Sequence, residues 1–268
     1  MRKLLSIALA ALLCLGVASA AAAQGQLRVG MECNYAPFNW TQTDDSNGGV
    51  AIDGGYAGGY DVEMAKALAE GLGRELVIVK TEWDGLIPAL NSGVIDAVIA
   101  GMSPTEARKV SVDFTDAYYK SELVVVVRKD GPYAGATALS DFAGAKVTAQ
   151  LNTVHYAVAG QLAGANLLPA MESFPAMLVA LTSGVVDGYV SERPSAESAA
   201  AVNPGVSFVS FPEGRGFEAS DDEISVAVAV RKGDAELLSG INAILAGIDA
   251  EARNQLMAQA MANQPSAE

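Results

Sequence analysis

The chain has 268 residues, of which 51% are hydrophobic, and its 31 acidic and 17 basic residues give a formal net charge of −14. This length allows one large domain or two lobes of ordinary size around apolar cores. The acidic balance excludes nucleic acid and anionic lipid as expected partners, because like charges repel.

The first 23 residues have the features of a secretory signal peptide. Arg2 and Lys3 precede an apolar run over residues 4–17, and an alanine-rich segment then offers A-x-A cleavage sites. The run is short for a membrane span, which needs about 20 residues. Cleavage removes Cys14 and leaves Cys33 as the only thiol, so we expect a periplasmic protein without an internal disulfide.

The first half of the mature chain alternates predicted strands and helices. A series of this β-α-β-α-β kind predicts parallel strands with right-handed crossovers, and therefore an α/β lobe. Asp61 is the predicted N-cap of the first helix. The predicted strands are residues 27–31, 76–79 and 95–100, and the predicted helices are residues 61–71 and 83–91.

Residues 41–59 are rich in glycine and aspartate and poor in apolar residues. This composition predicts a long surface loop. The acidic residues do not have the spacing of a calcium-binding loop. We therefore expect no metal in this segment.

Two similar segments, residues 89–96 and 180–187, lie 91 positions apart. Each predicts the end of a helix, a glycine stop and a buried parallel strand, which indicates two lobes of related design. Ligands of open α/β sheets bind beyond the carboxyl ends of the strands. Arg108 follows the first copy and Glu192 the second, and their opposite charges suit the carboxylate and ammonium of an α-amino acid.

The sequence Ser103-Pro104-Thr105-Glu106 has the pattern of a capping box, with Ser103 as N-cap. This pattern places Arg108 in the second turn of a helix, near an end that favours anions. A guanidinium group at that place suits a carboxylate. The alternative is that Arg108 pairs with Glu106 or Asp113 at the surface.

The second half of the chain continues the α/β pattern. Thr153 opens a predicted helix, where its hydroxyl can bind an anion or simply start the helix. Predicted strands are residues 124–128, 146–150, 186–190 and 226–230; predicted helices are residues 152–162, 175–182 and one or two within 235–261; residues 265–268 form a tail.

Five motifs in order resemble the polar amino acid binding proteins of ABC importers, and the resemblance extends from Leu27 to about Leu256. It implies a two-lobed α/β periplasmic binding protein fold (type II), each lobe a mainly parallel sheet flanked by helices. Such a monomer binds its ligand between the lobes without a cofactor and docks on an inner-membrane permease. The motifs are Tyr35-Ala36-Pro37-Phe38, Gly59-Tyr60-Asp61-Val62-Glu63, residues 83–90, residues 103–108 and Asp113-Phe114-Thr115-Asp116.

The resemblance also implies the lobe boundaries. Lobe 1 comprises residues 24–119 and 225–268, and lobe 2 comprises residues 124–217. The two hinges lie near residues 120–123 and 218–224. Ligand binding shifts an equilibrium between open and closed lobes.

The same resemblance implies roles for individual residues. The ligand's α-carboxylate binds Arg108, with help from Ser103, the backbone of Gly101, and Thr153. The α-ammonium binds Glu192, at a position where the family usually has an aspartate. Arg193 is the alternative partner for Glu192, because a carboxylate in a closed cleft needs a cation.

The ligand's side chain is addressed by three further residues. Glu32 lies where lysine- and arginine-binding relatives have an acid, and Tyr35 and Trp83 can enclose the stem of a cationic ligand. These residues favour a basic amino acid of the lysine, arginine or histidine type, with cystine and glutamine as open alternatives. Glu32 can also cap a helix or pair with a local base.

Two large side chains near the motifs are assigned no ligand role. Trp40 is expected to pack in the protein, and His155 to lie at the surface. An enzymatic alternative is a dehydratase that acts on prephenate-like acids. No nucleophile with a base and no paired metal ligands occur in the sequence, so we expect a binding protein that is not an enzyme.

Overall fold

The computed structural model of the chain describes residues 25–265. The predicted signal peptide and nearly all of the predicted C-terminal tail lie outside the described residues. Within them, no helix is long and apolar enough to cross a membrane.

Strands and helices alternate along most of the described chain, as the sequence predicts. The strands are β1 (Gln26–Met31), β2 (Asn34–Tyr35), β3 (Asn39–Gln42), β4 (Val50–Ile52), β5 (Gly55–Gly58), β6 (Glu75–Lys80), β7 (Ala97–Val98), β8 (Val112–Lys120), β9 (Leu123–Arg128), β10 (Lys146–Thr148), β11 (Asn166–Leu167), β12 (Gly188–Glu192), β13 (Val206–Val209) and β14 (Ser225–Arg231). The α-helices are α1 (Tyr60–Gly71), α2 (Leu86–Asn91), α3 (Glu106–Lys109), α4 (Val154–Ala159), α5 (Phe174–Thr182), α6 (Arg193–Val202), α7 (Ala235–Leu245) and α8 (Ala250–Asn263), and 3-10 helices cover Ser46–Gly48, Trp83–Gly85 and Leu139–Phe142.

Two five-stranded sheets share one plan. The first has the order β6-β1-β7-β14-β8 and the second β11-β10-β12-β9-β13. In each, four strands run in the same direction, and one strand, β14 in the first sheet and β9 in the second, runs antiparallel between two of them. The prediction of two α/β units of related design is confirmed. The first sheet takes β14 from the C-terminal part of the chain, so the chain enters the second sheet after β8 and returns after β13.

The repeated segment explains the similarity of the two sheets. Gly93 and Gly184 end α2 and α5 in the left-handed conformation, with φ of 77° and 80°. The Asp96 backbone amide donates to the Arg28 carbonyl at 2.7 Å, and the Asp96 carboxylate accepts from the Arg28 backbone amide at 3.0 Å. Asp187 exchanges the equivalent bonds with Lys146, of 2.7 and 2.9 Å. Each copy therefore joins the end of a helix to the parallel strand beside it.

The apolar strand β9 is buried on both faces. Leu123 and the four valines that follow it are each at most 8% exposed. Val124 and Val126 pack in a core that includes the first sheet, while Val125 and Val127 pack with Phe142 in a second core. A continuous apolar run is the sequence that a strand covered on both faces requires.

The prediction of a surface loop over residues 41–59 is wrong. This segment contributes β4, β5 and part of β3 to a four-stranded sheet, with the order β2-β3-β5-β4. Gly54 and Gly55, with φ of 83° and 152°, turn the chain between β4 and β5. Their strands pair antiparallel through backbone groups, which needs few apolar side chains, and so the composition did not reveal them.

The predicted N-cap of the first helix is also wrong. The N-cap is Gly59, and Asp61 lies inside α1 and is fully buried. Its carboxylate accepts hydrogen bonds from the Asn39 amide at 2.8 Å and the Tyr118 hydroxyl at 2.7 Å. The carboxylate is therefore used in tertiary contacts within the core.

Candidate functional site

The predicted ligand residues gather at the carboxyl ends of the parallel strands. Glu32 follows β1, Gly101 follows β7, and Glu192 ends β12. A cavity of about 20 Å³ is lined by seven of the eight predicted residues together with Phe174, and the eighth, Glu192, lines a neighbouring cavity of about 10 Å³. The lining residues from the prediction are Glu32, Tyr35, Trp83, Gly101, Ser103, Arg108 and Thr153 for the first cavity. The structure therefore brings the predicted site together at the contact between the two sheets, hereafter the cleft.

Arg108 is held by backbone carbonyl groups. Its Nη1 donates to the Ser103 carbonyl at 2.8 Å and its Nη2 to the Asn152 carbonyl at 3.0 Å. The guanidinium also lies over the Trp83 ring, 5.0 Å from the centroid. Burial lowers the pKa of Arg108 to about 10, because desolvation disfavours the charged form.

The alternative that Arg108 pairs with a surface carboxylate is wrong. Glu106 pairs with Lys109, and Asp113 pairs with Lys232. No ion pair of residues 25–265 includes Arg108. Its positive charge is thus available to an anion that enters the cleft.

The capping box predicted at Ser103 is not formed. Helix α3 begins at Glu106, and the Thr105 hydroxyl accepts the hydrogen bond from the Arg108 amide. The Ser103 hydroxyl donates instead to the Glu223 carbonyl at 3.0 Å, and this long-range bond takes it away from the helix. Because α3 has four residues, its dipole adds little to the anion site.

Glu192 is 5% exposed and accepts a hydrogen bond from the Tyr35 hydroxyl across the cleft. Burial raises the pKa of its carboxyl to about 7, against the smaller opposing effect of the Tyr35 hydrogen bond. Arg193 points away and pairs with Glu122 at 2.7 Å. The alternative in which Arg193 neutralises Glu192 is therefore wrong.

Glu32 is 3% exposed and accepts a hydrogen bond of 3.0 Å from the Gln150 amide on the opposite sheet. Burial raises the pKa of Glu32 to about 8, with a smaller contribution from the nearby charges of Glu82 and Asp84. No base pairs with Glu32 in the described part of the chain, and it caps no helix there. Both structural alternatives for this residue, helix capping and pairing with a local base, are therefore wrong.

Tyr35 is fixed by aromatic packing as well as by its hydroxyl. Its ring stacks on Phe174 and on Phe38, with centroid distances of 4.0 and 5.2 Å. Gly101 lies against the same ring with φ of 62°, where an added Cβ would come within 2.8 Å of Tyr35 Cε1. The site therefore requires glycine at position 101.

Thr153 has a structural role in this conformation. Its Oγ1 accepts from the Tyr156 amide at 3.3 Å, as the N-cap of α4, and donates to the Gln150 carbonyl at 2.6 Å. The helix ends at Ala159 and is shorter than predicted. Thr153 nevertheless lines the cavity beside Arg108.

Asn152 joins the sheets at the mouth of the cleft. Its carbonyl also accepts from Trp83 Nε1 at 3.4 Å, and its side-chain amide donates to Asp84 at 2.9 Å. A larger cavity of about 480 Å³ opens here, lined on its inner side by Trp83, Arg108 and Thr153. Since the inner cavity has room for about one water molecule, an amino acid can enter only when the sheets separate.

Sequence reasoning missed three residues of the site. Gln150 and Phe174 carried no motif, although both lie next to predicted elements. His155 was expected at the surface, and this expectation is wrong, because it lines both small cavities. Trp40, in contrast, is 5% exposed within the core, as predicted.

A family model for bacterial extracellular solute-binding proteins, family 3, matches residues 27–261. The match spans far more than half of the chain, and the chain belongs to this family. It is 33% identical over 201 residues to a probable histidine-binding protein of Campylobacter jejuni, covering 74% of this chain and 72% of that protein. It is 29% identical over 246 residues to an L-arginine-binding protein of Pseudomonas aeruginosa, covering 87% and 86%.

The solved structures agree with the family. An amino acid ABC transporter substrate-binding protein of Streptococcus pneumoniae, bound to L-arginine, is similar with a TM-score of 0.78 and 27% identity. The similarity covers 89% of this chain and 94% of that chain. The predicted two-lobed α/β binding-protein fold is confirmed.

Proposed function

We propose that this member of the family-3 solute-binding proteins is the extracytoplasmic component of an ABC importer for a basic amino acid of the lysine, arginine or histidine type. One observation carries the proposal: one cation and two buried carboxylates meet in the cleft, and none of them has an ion-pair partner in residues 25–265. A basic amino acid has the complementary set of one carboxylate and two cations.

In the proposed complex, Arg108 binds the α-carboxylate. A guanidinium can form two parallel hydrogen bonds to a carboxylate, which are stronger than its present bonds to neutral carbonyls. The Ser103 hydroxyl, the Gly101 backbone and Thr153 border the same cavity and complete the anion site. This assignment extends the resemblance of the 103–108 motif to the binding function.

Glu192 binds the α-ammonium group. The resemblance to the family places an aspartate here, one methylene shorter, and the Glu192 carboxylate accepts a hydrogen bond from the Tyr35 hydroxyl. An ammonium group brings a full positive charge and three donors. It therefore replaces the phenol as the stronger partner of a buried carboxylate.

Glu32 binds the distal cation of the ligand's side chain. It lies on the same cavity as Arg108, next to the aromatic rings of Tyr35 and Trp83. Cation-π attraction to such rings adds about 0.5 to 2 kcal/mol. A neutral ligand side chain would supply no positive charge to favour the ionised form of Glu32, and so would bind more weakly.

The lobes close around this ligand as rigid units. Lobe 1 comprises residues 24–119 and 225–268, and lobe 2 comprises residues 124–217, with hinges near 120–123 and 218–224. The separation of the strands into two sheets supports this division. The predicted signal peptide directs the monomer to the periplasm, where the closed form docks on its permease.

Calorimetric titration tests the proposal with lysine, arginine, histidine, cystine and glutamine. We expect a basic amino acid to bind most tightly and Arg108→Ala to weaken it at least 100-fold, the loss of a charged bidentate contact. Glu32→Gln is the matched variant, because it keeps the shape and removes the charge, and it should reverse the preference toward glutamine. Tightest binding of cystine or glutamine by the parent, or turnover of prephenate, contradicts the proposal.

A further inference from the structure

The single histidine of the chain, His155, lies between the Arg108 end and the Glu192 end of the site. The cavity that contains Arg108 and the cavity that contains Glu192 share two lining residues, Ser103 and His155. Ser103 comes from the first sheet's side of the cleft, and His155 from α4 on the other side. The imidazole therefore faces the place where the backbone of a bound amino acid must lie.

The ring of His155 is fixed but its hydrogen bonding is incomplete. Phe174 packs against it edge to face, with a centroid distance of 6.0 Å and an interplanar angle of 85°. The Nδ1 atom is buried and has no hydrogen-bond partner among the described residues. A buried polar atom without a partner is unfavourable, and a ligand group that pairs with it removes this cost.

His155 lies on the same cavity as Arg108, and the Arg108 charge acts on it. Burial first, and then the positive charge of Arg108, lower the pKa of the imidazole to about 4. The ring is therefore neutral at pH 7 and has one N–H to donate. Beside the positive charge of Arg108, an anionic acceptor such as a carboxylate suits that N–H.

We propose that His155 is a further specificity-determining residue, whose Nδ1–H donates a hydrogen bond to the α-carboxylate of the ligand beside Arg108. This inference rests on the proposed function. The bond selects ligands with a free carboxylate over amides and esters of the same amino acid, because an amide offers a weaker, uncharged acceptor.

The test is a double-mutant cycle in which one change is made in the protein and the other in the ligand. L-Arginine, L-lysine and L-histidine and their carboxamides are titrated into the parent, His155→Phe and His155→Asn. We expect His155→Phe to weaken binding of the free amino acid about tenfold or more, as for a hydrogen bond to a charged group. The carboxamide should lose less than threefold, and the donor amide of His155→Asn should restore most of the affinity.

Equal losses for amino acid and carboxamide overturn the inference, since they indicate a purely structural role for the ring. Unchanged binding by His155→Phe overturns it as well, while the proposed function stands. Failure of the parent to bind any of the three amino acids overturns both. Because the chain has one histidine, its imidazole nitrogen NMR signals report on the parent directly, and an Nδ1 signal that does not move on binding also refutes the contact if the Phe variant cannot fold.

Discussion

Binding of a basic amino acid should release protons and strengthen as pH rises from 6 to 8. Burial raises the pKa of Glu32 to about 8 and that of Glu192 to about 7. Both carboxyls now accept hydrogen bonds from uncharged donors, Gln150 and Tyr35. A cation beside either one lowers its pKa, because it favours the charged form.

The magnitude follows from these values. At pH 7 a group with a pKa of about 8 is roughly 0.9 protonated, and one with a pKa of about 7 is roughly 0.5 protonated. Binding that ionises both groups releases up to about 1.4 protons. If only Glu32 is coupled, the affinity rises up to about 50-fold between pH 6 and pH 8; solvation of the open cleft reduces this limit.

The free protein should show the opposite trend in stability. A carboxyl whose folded pKa lies above its unfolded value near 4.5 binds more protons in the folded state. The contribution of Glu32 to the free energy of unfolding is therefore present below about pH 4.5 and declines as pH rises toward 8. The thermal stabilisation by ligand should grow over the same range.

Calorimetry in buffers with different ionisation enthalpies measures the protons released. Glu32→Gln should remove the larger share of the release, and Glu70→Gln, at an exposed position of α1, should leave it unchanged. Heats that do not depend on the buffer at pH 7, together with a constant Kd from pH 6 to 8, would refute the assignment of Glu32 and Glu192 as buried ligand contacts.

Three further predictions concern single residues. Arg108→Met should raise the melting temperature of the free protein while it abolishes binding, because it removes a half-buried, partly desolvated cation that has no ion-pair partner in the described chain; scanning calorimetry without ligand measures this, and a lower melting temperature contradicts it. Gly101→Ala should destabilise by about 1–3 kcal/mol in urea unfolding, since the new Cβ meets the Tyr35 ring at positive φ. Asp96→Ala should cost about 2–4 kcal/mol in the same assay, because it leaves Arg28 and its backbone amide without their carboxylate; a loss below 0.5 kcal/mol would show that the pair is solvent-screened.

The sequence predicted the parts of the fold that depend on local pattern. The two glycine stops, the buried strand β9 and the repeated segments were readable because helix ends and apolar runs have short-range signatures. Residues 50–58 were not, because their strands pair through backbone groups, and glycine-rich strands carry no periodic signal. The same holds for Ser103, whose capping pattern yields to a hydrogen bond with Glu223, 120 positions away.

The candidate site could be predicted to the level of which residues meet, but not how they are paired. Arg108 and Glu192 follow repeated segments, and their common location follows from strand topology. The Tyr35 to Glu192 hydrogen bond joins residues 157 positions apart, and the Gln150 to Glu32 bond joins residues 118 apart. Such contacts depend on how the lobes close, and local patterns contain no information about that.

These cross-cleft pairs suggest where the binding free energy originates. Each proposed recognition group now has an uncharged partner from the opposite side: Asn152 for Arg108, Tyr35 for Glu192 and Gln150 for Glu32. A neutral partner satisfies hydrogen bonding but supplies no opposite charge, so the Arg108 cation stays uncompensated and the ionised forms of the two carboxyls stay disfavoured.

In the proposed complex, a basic amino acid exchanges all three neutral partners for charged ones in a single event. The displaced groups are neutral and can hydrogen-bond to water at little cost, whereas Arg108 and the two carboxyls, which ionise on binding, gain ion pairs in a low-dielectric cleft. Ligand discrimination should therefore follow charge before shape: removal of one ligand charge should cost more than a change of one methylene, which is worth about 1–3 kcal/mol. Titration with arginine, its uncharged analogue citrulline and its homologue shorter by one methylene, 2-amino-4-guanidinobutanoate, measures the two costs, and a larger loss from the shorter homologue would contradict this account.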